Sequence, residues 1–319
     1  MVVGVDVGGT KVAVGLVNAQ GQIVATQRRP MNASGDASSG FNSVTSVLDA
    51  LFAETPGARE TIRAIGICAP GPLDPFTGVV INPPNLKCWR NFPLGAEVSR
   101  RYGVPVKVDN DGNAAALAEF LWGAGRGFKT VFYACIGTGI GSGIIFDGRI
   151  YQGRTGAAVE GGHVSIDYRG PVCGCGKRGC IEILAAGPAI ARRAQAKLAA
   201  EPGRASTLRE LEENDPSIVT SEMVGKANAA GDALATEVLL ETVELLAFWL
   251  ANVVDFLEPD VIIIGGGVAA MLSPFFGVLE DRIAFHCVNS RSREIPLRPA
   301  HYGADSGIAG GAALCNGLA

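Results

Sequence analysis

Between Glu160 and Glu182 the chain brings one imidazole and three thiols close together in sequence: His163, then Cys173, Cys175 and Cys180. Three thiolates and one imidazole make a closed four-coordinate set for zinc, the arrangement of structural sites that keep no open position. Glycines at 174, 176 and 179 let the backbone wrap tightly enough for the sulfurs to converge. Two other readings exist, namely buried structural thiols and a disulfide. Zinc is favoured because three cysteines and a histidine among so many glycines make a poor apolar core. The C-x-C-x4-C spacing is not that of a nucleic-acid finger. Carboxylates bracket the stretch at both ends, so a metal knot would hold Glu160 and Glu182 in place as a binding-site scaffold does.

Two glycine-rich turns suggest a second kind of chemistry. Asp6-Val7-Gly8-Gly9-Thr10-Lys11 and Gly137-Thr138-Gly139-Ile140-Gly141-Ser142-Gly143 each expose backbone N–H groups and a threonine hydroxyl that can crowd around an anion. Neither is a Walker loop, and Gly8-Gly9 leads into a strand where a dinucleotide fingerprint would lead into a helix. Each alone reads as a tight turn. Together, with Asp6 able to hold magnesium through water, they point to a polyphosphate. A third turn, Gly265-Gly266-Gly267, closes a predicted strand and could admit an adenine or its ribose; alone it reads equally as a plain strand-to-helix turn.

These residues need elements to position them. Val2–Leu16 and Val131–Phe146 share one pattern: a β-rich run, a glycine-threonine turn and a second β-rich run. Each then turns briefly and re-enters strand at Ile23 or Ile150, which predicts a duplicated α/β half. Strands are expected at Ala64–Cys68, Val104–Val108 and Val261–Ile264. Helices are expected from about Asn113 to Trp122 and through Leu239, Val243, Leu246, Leu250, Val253 and Leu257, apolar at alternating spacings of four and three. Such alternation predicts α/β layers. The expected break follows the first of these helices, near Glu119–Phe128, giving residues 1–118 plus 305–319 as one domain and 119–304 as the other. Asp111 then lies beyond a strand and at the head of a helix, where open α/β sheets place ligands. It reads as a catalytic carboxylate or as a second helix cap.

Composition narrows the classes. A chain of 319 residues suits two ordinary domains, and 48% hydrophobic residues against 18% charged mark a well-buried globular protein. The net charge of −4, without a basic run, argues against nucleic-acid binding. No membrane or export segment is evident, so the eight cysteines are expected to be reduced in a cytoplasm.

Six motifs carry a resemblance that spans the chain: D-V-G-G-T-K at the start, V-D-N-D-G-N-A-A-A-L-A-E at 108–119, G-T-G-I-G-S-G at 137–143, E-G-G-H at 160–163, C-G-C-G-K-R-G-C-I-E at 173–182 and I-I-G-G-G-V at 263–268. In combination they resemble the ROK family of bacterial sugar kinases. The resemblance implies the actin-like ATPase fold: two ribonuclease-H-like α/β domains with a cleft between them, a structural zinc loop, and a C-terminal helix, about Ser306–Asn316, packed back on the first domain.

It also implies roles. Asp111 faces the hydroxyl to be phosphorylated, and Asn110 hydrogen-bonds the sugar, with Asn113 as the cap of the following helix. Asn85, Glu160, His163 and Glu182 read the remaining hydroxyls, while Gly71 and Pro72 line the pocket with backbone. Asp6, Gly8, Gly9, Thr10, Lys11, Gly137, Thr138, Gly139, Gly265, Gly266 and Gly267 hold the nucleotide. His163, Cys173, Cys175 and Cys180 hold zinc, His163 serving metal and sugar with different ring nitrogens.

The expected reaction is phosphorylation of a hexose at its 6-hydroxyl, glucose first, with ATP, Mg2+ and structural Zn2+. N-acetylglucosamine, N-acetylmannosamine and fructose kinases share these motifs. Val159, Gly161, Ala186, Asp109 and Gly112 depart from the family pattern, which leaves the sugar open. A sugar-responsive regulator of the same family would carry a helix-turn-helix ahead of the first hairpin; with Asp6 sixth in the chain, an enzyme is expected. The resemblance further implies a homo-oligomer, a dimer or tetramer.

Overall fold

The computed structural model describes residues 1–211 and 215–318. The chain forms two compact units: Met1–Tyr133 with Ser142–Val159 and Ala300–Ala319, and Ala134–Gly141 with Glu160–Pro299. Ala319, the last residue of the expected first domain, lies outside the described residues.

The first unit is built on strands β1 (Val2–Val7), β2 (Lys11–Val17), β3 (Ile23–Pro30), β4 (Ile65–Ala69) and β5 (Val106–Asn110), in the order β3-β2-β1-β4-β5. β1, β2 and β3 form an antiparallel meander, whereas β1, β4 and β5 run parallel. The central strands are apolar at nearly every position because both faces of the sheet are covered. Helix α1 (Ala37–Glu54) covers one face through Val44, Val47, Leu48 and Leu51, all buried at helical spacing. Its cap is Asp36, whose carboxylate accepts from the Ser39 N–H at 2.7 Å.

The other face carries the late helix α7 (Ser306–Leu314), which packs on β1 and β4 and along helix α2 (Asp111–Leu121). Contact is backbone against backbone. A Cβ at Gly4 would lie 1.8 Å from the Ile308 carbonyl oxygen, and one at Gly66 would lie 1.8 Å from that of Gly311. Neither neighbour is a flexible side-chain tip that could swing aside. Gly66→Ala is therefore expected to cost about 3 kcal/mol by overpacking, read as a lower urea midpoint at unchanged slope. A midpoint equal to wild type would show that α7 is free to shift.

Strands β6 (Val131–Ile136), β7 (Ile140–Phe146), β8 (Arg149–Ile150), β9 (Val261–Gly265) and β10 (Leu297–Pro299) make the second sheet, in the order β8-β7-β6-β9-β10. Strand for strand this repeats the first sheet, which is the duplication expected from the paired hairpin patterns. The chain passes between the units within β6 and β7. The second unit adds α3 (Gly187–Ala200), α4 (Ser221–Ala229), α5 (Ala233–Leu257) and α6 (Gly267–Leu272). In α5 the predicted stripe is buried at Leu239, Val243, Leu246 and Leu250, but at the far end Val254 replaces Val253 as the buried residue. A straight helix drifts relative to a 3.5-residue repeat, and over 25 residues the drift moves the seam by one position. No helix among the described residues is long and apolar enough to cross a membrane.

The units divide the chain elsewhere than at 118/119. That position lies inside α2, which runs unbroken to Leu121. Glu119 explains why the residues beyond it stay with the first unit. Its carboxylate is fully buried and accepts from the N–H groups of Ala124 at 2.9 Å, His301 at 2.8 Å and Tyr302 at 3.1 Å. One side chain thus ties the glycine-rich turn after α2 to the returning chain.

Candidate active site and metal centre

In the first unit the candidate residues gather at the C-terminal ends of the parallel strands. Asp6 pairs with Cys68 across β1 and β4, and Ala69 with Asn110 across β4 and β5. Gly71 lies two residues beyond β4, within 3.8 Å (measured from an ideal Cβ) of the Asn110 amide nitrogen. The β1–β2 hairpin closes through the Gly8 N–H donating to the Lys11 carbonyl at 2.9 Å. An ideal Cβ on Gly9 would stand 3.0 Å from the Asn85 carbonyl oxygen, so hairpin and Asn85 are neighbours. Thr10, Lys11, Pro72 and Asn85 all have exposed side chains.

Asp111 opens α2. Its Oδ1 accepts from the Gly112 N–H at 2.8 Å, and the same N–H is shared by Asn110 Oδ1 at 2.8 Å. Asn110 is the helix cap, in extended conformation one residue before the helix. This corrects the expectation that Asn113 caps it. Asn113 lies inside α2, fully buried. The correction leaves Asn110 with its amide N–H pair available and its oxygen committed.

The Asp111 side chain is reached by solvent yet stands in crowded protein surroundings. That crowding raises its pKa above the ordinary carboxylate value, with the Gly112 N–H pulling the other way. Asp6 is raised too, first by burial and then by the negative charge of Asp111, while Lys11 and Arg28 oppose the shift. An acid whose ionisation is made costlier by a neighbouring carboxylate favours a cation or a proton beside it.

In the second unit the four metal candidates converge. The ligand atoms of His163, Cys173, Cys175 and Cys180 all lie within 4.8 Å of one another. Cys173 Sγ is 3.7 Å from His163 Nδ1, and Cys175 Sγ is 3.6 Å from Cys180 Sγ. A tetrahedron with zinc–sulfur bonds of about 2.3 Å and a zinc–nitrogen bond of about 2.0 Å has edges of roughly 3.5–3.8 Å, so the donor set fits zinc. No disulfide competes, since all eight cysteines are free. Nδ1 is the ring nitrogen that faces the sulfurs, which leaves Nε2 of His163 for another partner.

Glu182 stands beside this knot. Its Oε2 accepts from the Ile140 N–H at 2.9 Å, and its Oε1 lies 3.9 Å from His163 Nδ1. One of its two oxygens is thus spent on the β6–β7 hairpin. Glu160 is exposed, and its carbonyl accepts from the His163 N–H at 3.0 Å, which starts the turn Gly161–His163.

The second unit also holds a cavity of about 910 Å³. Gly137, Thr138 and Gly267, three of the residues expected to hold a nucleotide, line it; Gly139, Gly265 and Gly266 are not among its walls. Gly266 has a packing reason instead, because a Cβ there would meet the Ile136 carbonyl oxygen at 2.3 Å. Sequence reasoning missed most of the lining. Pro188, Ala191, Val219, Val268, Met271 and Pro274 give an apolar slot, with Ser221, Glu222, Lys226 and Asn228 adding polar groups. Apolar walls with a few polar groups suit the faces and edges of a flat heterocycle. The wall is assembled from the start of α3, the length of α4 and most of α6, so no contiguous motif could have announced it. Gly187-Pro188 at the head of α3 was its one local signal.

Two five-stranded sheets of one strand order, each with a glycine hairpin between its first two strands, define the actin-like ATPase fold with ribonuclease-H-like units. The model of the ROK family matches residues 2–317, and the chain belongs to that family. The chain is 35% identical over 271 residues to a glucokinase of Streptomyces coelicolor, covering 84% of this chain and 82% of that one. It is 30% identical to an N-acetylmannosamine kinase of Citrobacter koseri over 98% of both chains. The crystal structure of a ROK family glucokinase from Streptomyces griseus, in complex with glucose and AMPPNP, matches with a TM-score of 0.80 at 31% identity over 98% of each chain.

Proposed function

We propose that this protein is an ATP-dependent sugar kinase that phosphorylates the 6-hydroxyl of a hexose, with glucose the preferred substrate. The observation that carries the reading is the cluster at the strand ends of the first unit: a raised carboxylate, Asp111, beside Asp6, Asn110, Gly71 and the Gly8–Thr10 hairpin. Glucokinase relatives support glucose. The N-acetylmannosamine kinase relative makes an acetamido-hexose the second reading.

In this reading the hydroxyl oxygen attacks the γ-phosphorus of ATP as the bond to the β,γ-bridging oxygen breaks. The transition state is loose and the proton leaves late, so a carboxylate suffices. Asp111 orients the hydroxyl through a hydrogen bond and accepts its proton as the new bond forms. Asn110 donates its amide to a neighbouring hydroxyl. Glu160 and His163 Nε2 read further hydroxyls, and Glu182 does so with Oε1 alone. Backbone N–H groups of the two hairpins bind phosphate oxygens, and the cavity lined by Val219 and Met271 takes the adenine. Magnesium bound through water at Asp6 would neutralise the polyphosphate. Zinc held by His163 and the three cysteines would have no open position and would serve the wall that reads the sugar.

The test is a panel of hexoses and acetamido-hexoses with ATP and magnesium, read by coupled ADP release as kcat/KM. Glucose is expected to lead. An acetamido-hexose ahead by tenfold would reassign the substrate, and the absence of sugar-dependent ADP release with every member would remove the activity.

A further inference from the structure

Asn113 is an odd residue for its place. Asparagine is a poor former of helix interiors, yet this one is fully buried inside α2. Its Nδ2 donates to Asp109 Oδ1 at 3.0 Å and to the Ala158 carbonyl at 3.1 Å, which uses both hydrogens. Its Oδ1 is buried without a partner. An orphaned acceptor costs stability, so the function lies in what the NH2 group holds.

Asp109 keeps that amide in one orientation. Its buried carboxylate also accepts from the Asn110 N–H at 2.7 Å and from Gln152 Nε2 at 2.5 Å. Gln152 belongs to the segment that ends at Ala158, and the Ala158 N–H donates back to the Gln152 carbonyl at 3.2 Å. A second side chain takes the next carbonyl: Ser142 Oγ, from β7, donates to Val159 O at 3.1 Å. Two successive carbonyls are therefore pinned by side chains from two different elements. The very next residue is Glu160.

Among the described residues no group hydrogen-bonds the Glu160 carboxylate. The place from which its side chain starts is set by its backbone, fixed ahead of it by Asn113 and Ser142 and behind it by the turn into His163. Resting on the kinase reading above, we infer that Asn113 and Ser142 are positioning residues for Glu160, aligning its carboxylate for a sugar hydroxyl and so setting sugar affinity and selectivity.

Ser142→Ala removes one pin without adding bulk. Asn113→Asp keeps the shape but turns a donor into an acceptor facing Asp109 and Ala158 O. Each variant is compared with wild type and combined with Glu160→Gln. The sugar is the best substrate of the panel, and its affinity is also read by calorimetry without ATP. A carboxylate that binds ground and transition states alike moves KM and leaves kcat alone. Each pin variant is expected to raise sugar KM and Kd about tenfold, with kcat within about twofold and KM for ATP unchanged. In the Glu160→Gln background the same change is expected to add less than about twofold, because a missing ligand cannot be misplaced. Ser142→Thr, which keeps the hydroxyl, is expected to restore affinity.

Unchanged sugar Kd in both pin variants overturns the inference, as does a full multiplicative effect on top of Glu160→Gln. Parallel losses in kcat, ATP KM and melting temperature would mark a merely structural role and also overturn it. Failure of the kinase reading would look different: wild-type protein would bind sugar in calorimetry without releasing ADP.

Discussion

Asp111→Asn is expected to lower turnover by about 10²–10⁴-fold, the usual worth of a general base, with sugar KM little changed. Asparagine keeps the shape of the side chain and can still accept from the Gly112 N–H, so the head of α2 stays capped. What it loses is the capacity to take the proton. Steady-state kinetics with the preferred sugar check this, and wild-type turnover in the variant would end the assignment of Asp111 as base. The same substitution is expected to raise the melting temperature at neutral pH. The carboxyl's pKa is higher in the folded protein than in the unfolded chain, so the folded state binds the proton more tightly there. Such a group costs no stability while it is protonated in both states. The penalty grows as pH rises from the ordinary carboxylate value through the raised one, and is complete above it. The amide of the Asp111→Asn variant would escape it, and the thermal gain should fade as the pH is lowered toward 4 (roughly the ordinary carboxylate pKa). Opposite movements of activity and stability are common where a site is built for chemistry at the expense of packing.

Removing zinc, by a strong chelator or by Cys173→Ser, is expected to weaken sugar binding by at least about 10²-fold, because structural zinc supplies folding energy to its loop. Cys173 and Cys180 are buried, and three thiols with an imidazole inside 4.8 Å make a poor core without a cation to share. Glu182 leans on this knot and Glu160 leads into it. The cavity walled by α3, α4 and α6 contains none of the four donors, so affinity for an ATP analogue should stay within about threefold of wild type, a small change beside 1.4 kcal/mol per tenfold. Metal analysis must first find about one zinc per chain, as a four-donor site demands. Metal-free protein with unaltered sugar affinity would show that the cysteines serve something else.

How much of this was readable beforehand follows from how local each signal is. The paired hairpins, the zinc ligands and the position of Asp111 at a strand end each lie in one short stretch, and short stretches obey turn chemistry and metal spacing directly. Asn113 was misread because Asn110 and Asn113 are both good caps, and only the start of the helix decides which is outside it. Glu119 looked like the end of a domain because glycines follow it. Its actual partners, His301 and Tyr302, lie 182 and 183 residues away in sequence. Most walls of the large cavity were invisible for the same reason. Val219, Met271 and Pro188 become neighbours only once three helices have packed.

The seating of α7 on Gly4 and Gly66 bears on biosynthesis. The strands it covers are translated ahead of the second unit, but the helix itself is translated only after every residue of that unit. Until then the apolar face of β1 and β4 lacks its cover, so the first unit cannot mature before the second is made. Chaperone capture of a nascent chain stalled ahead of Ser306 would be the visible sign of that wait.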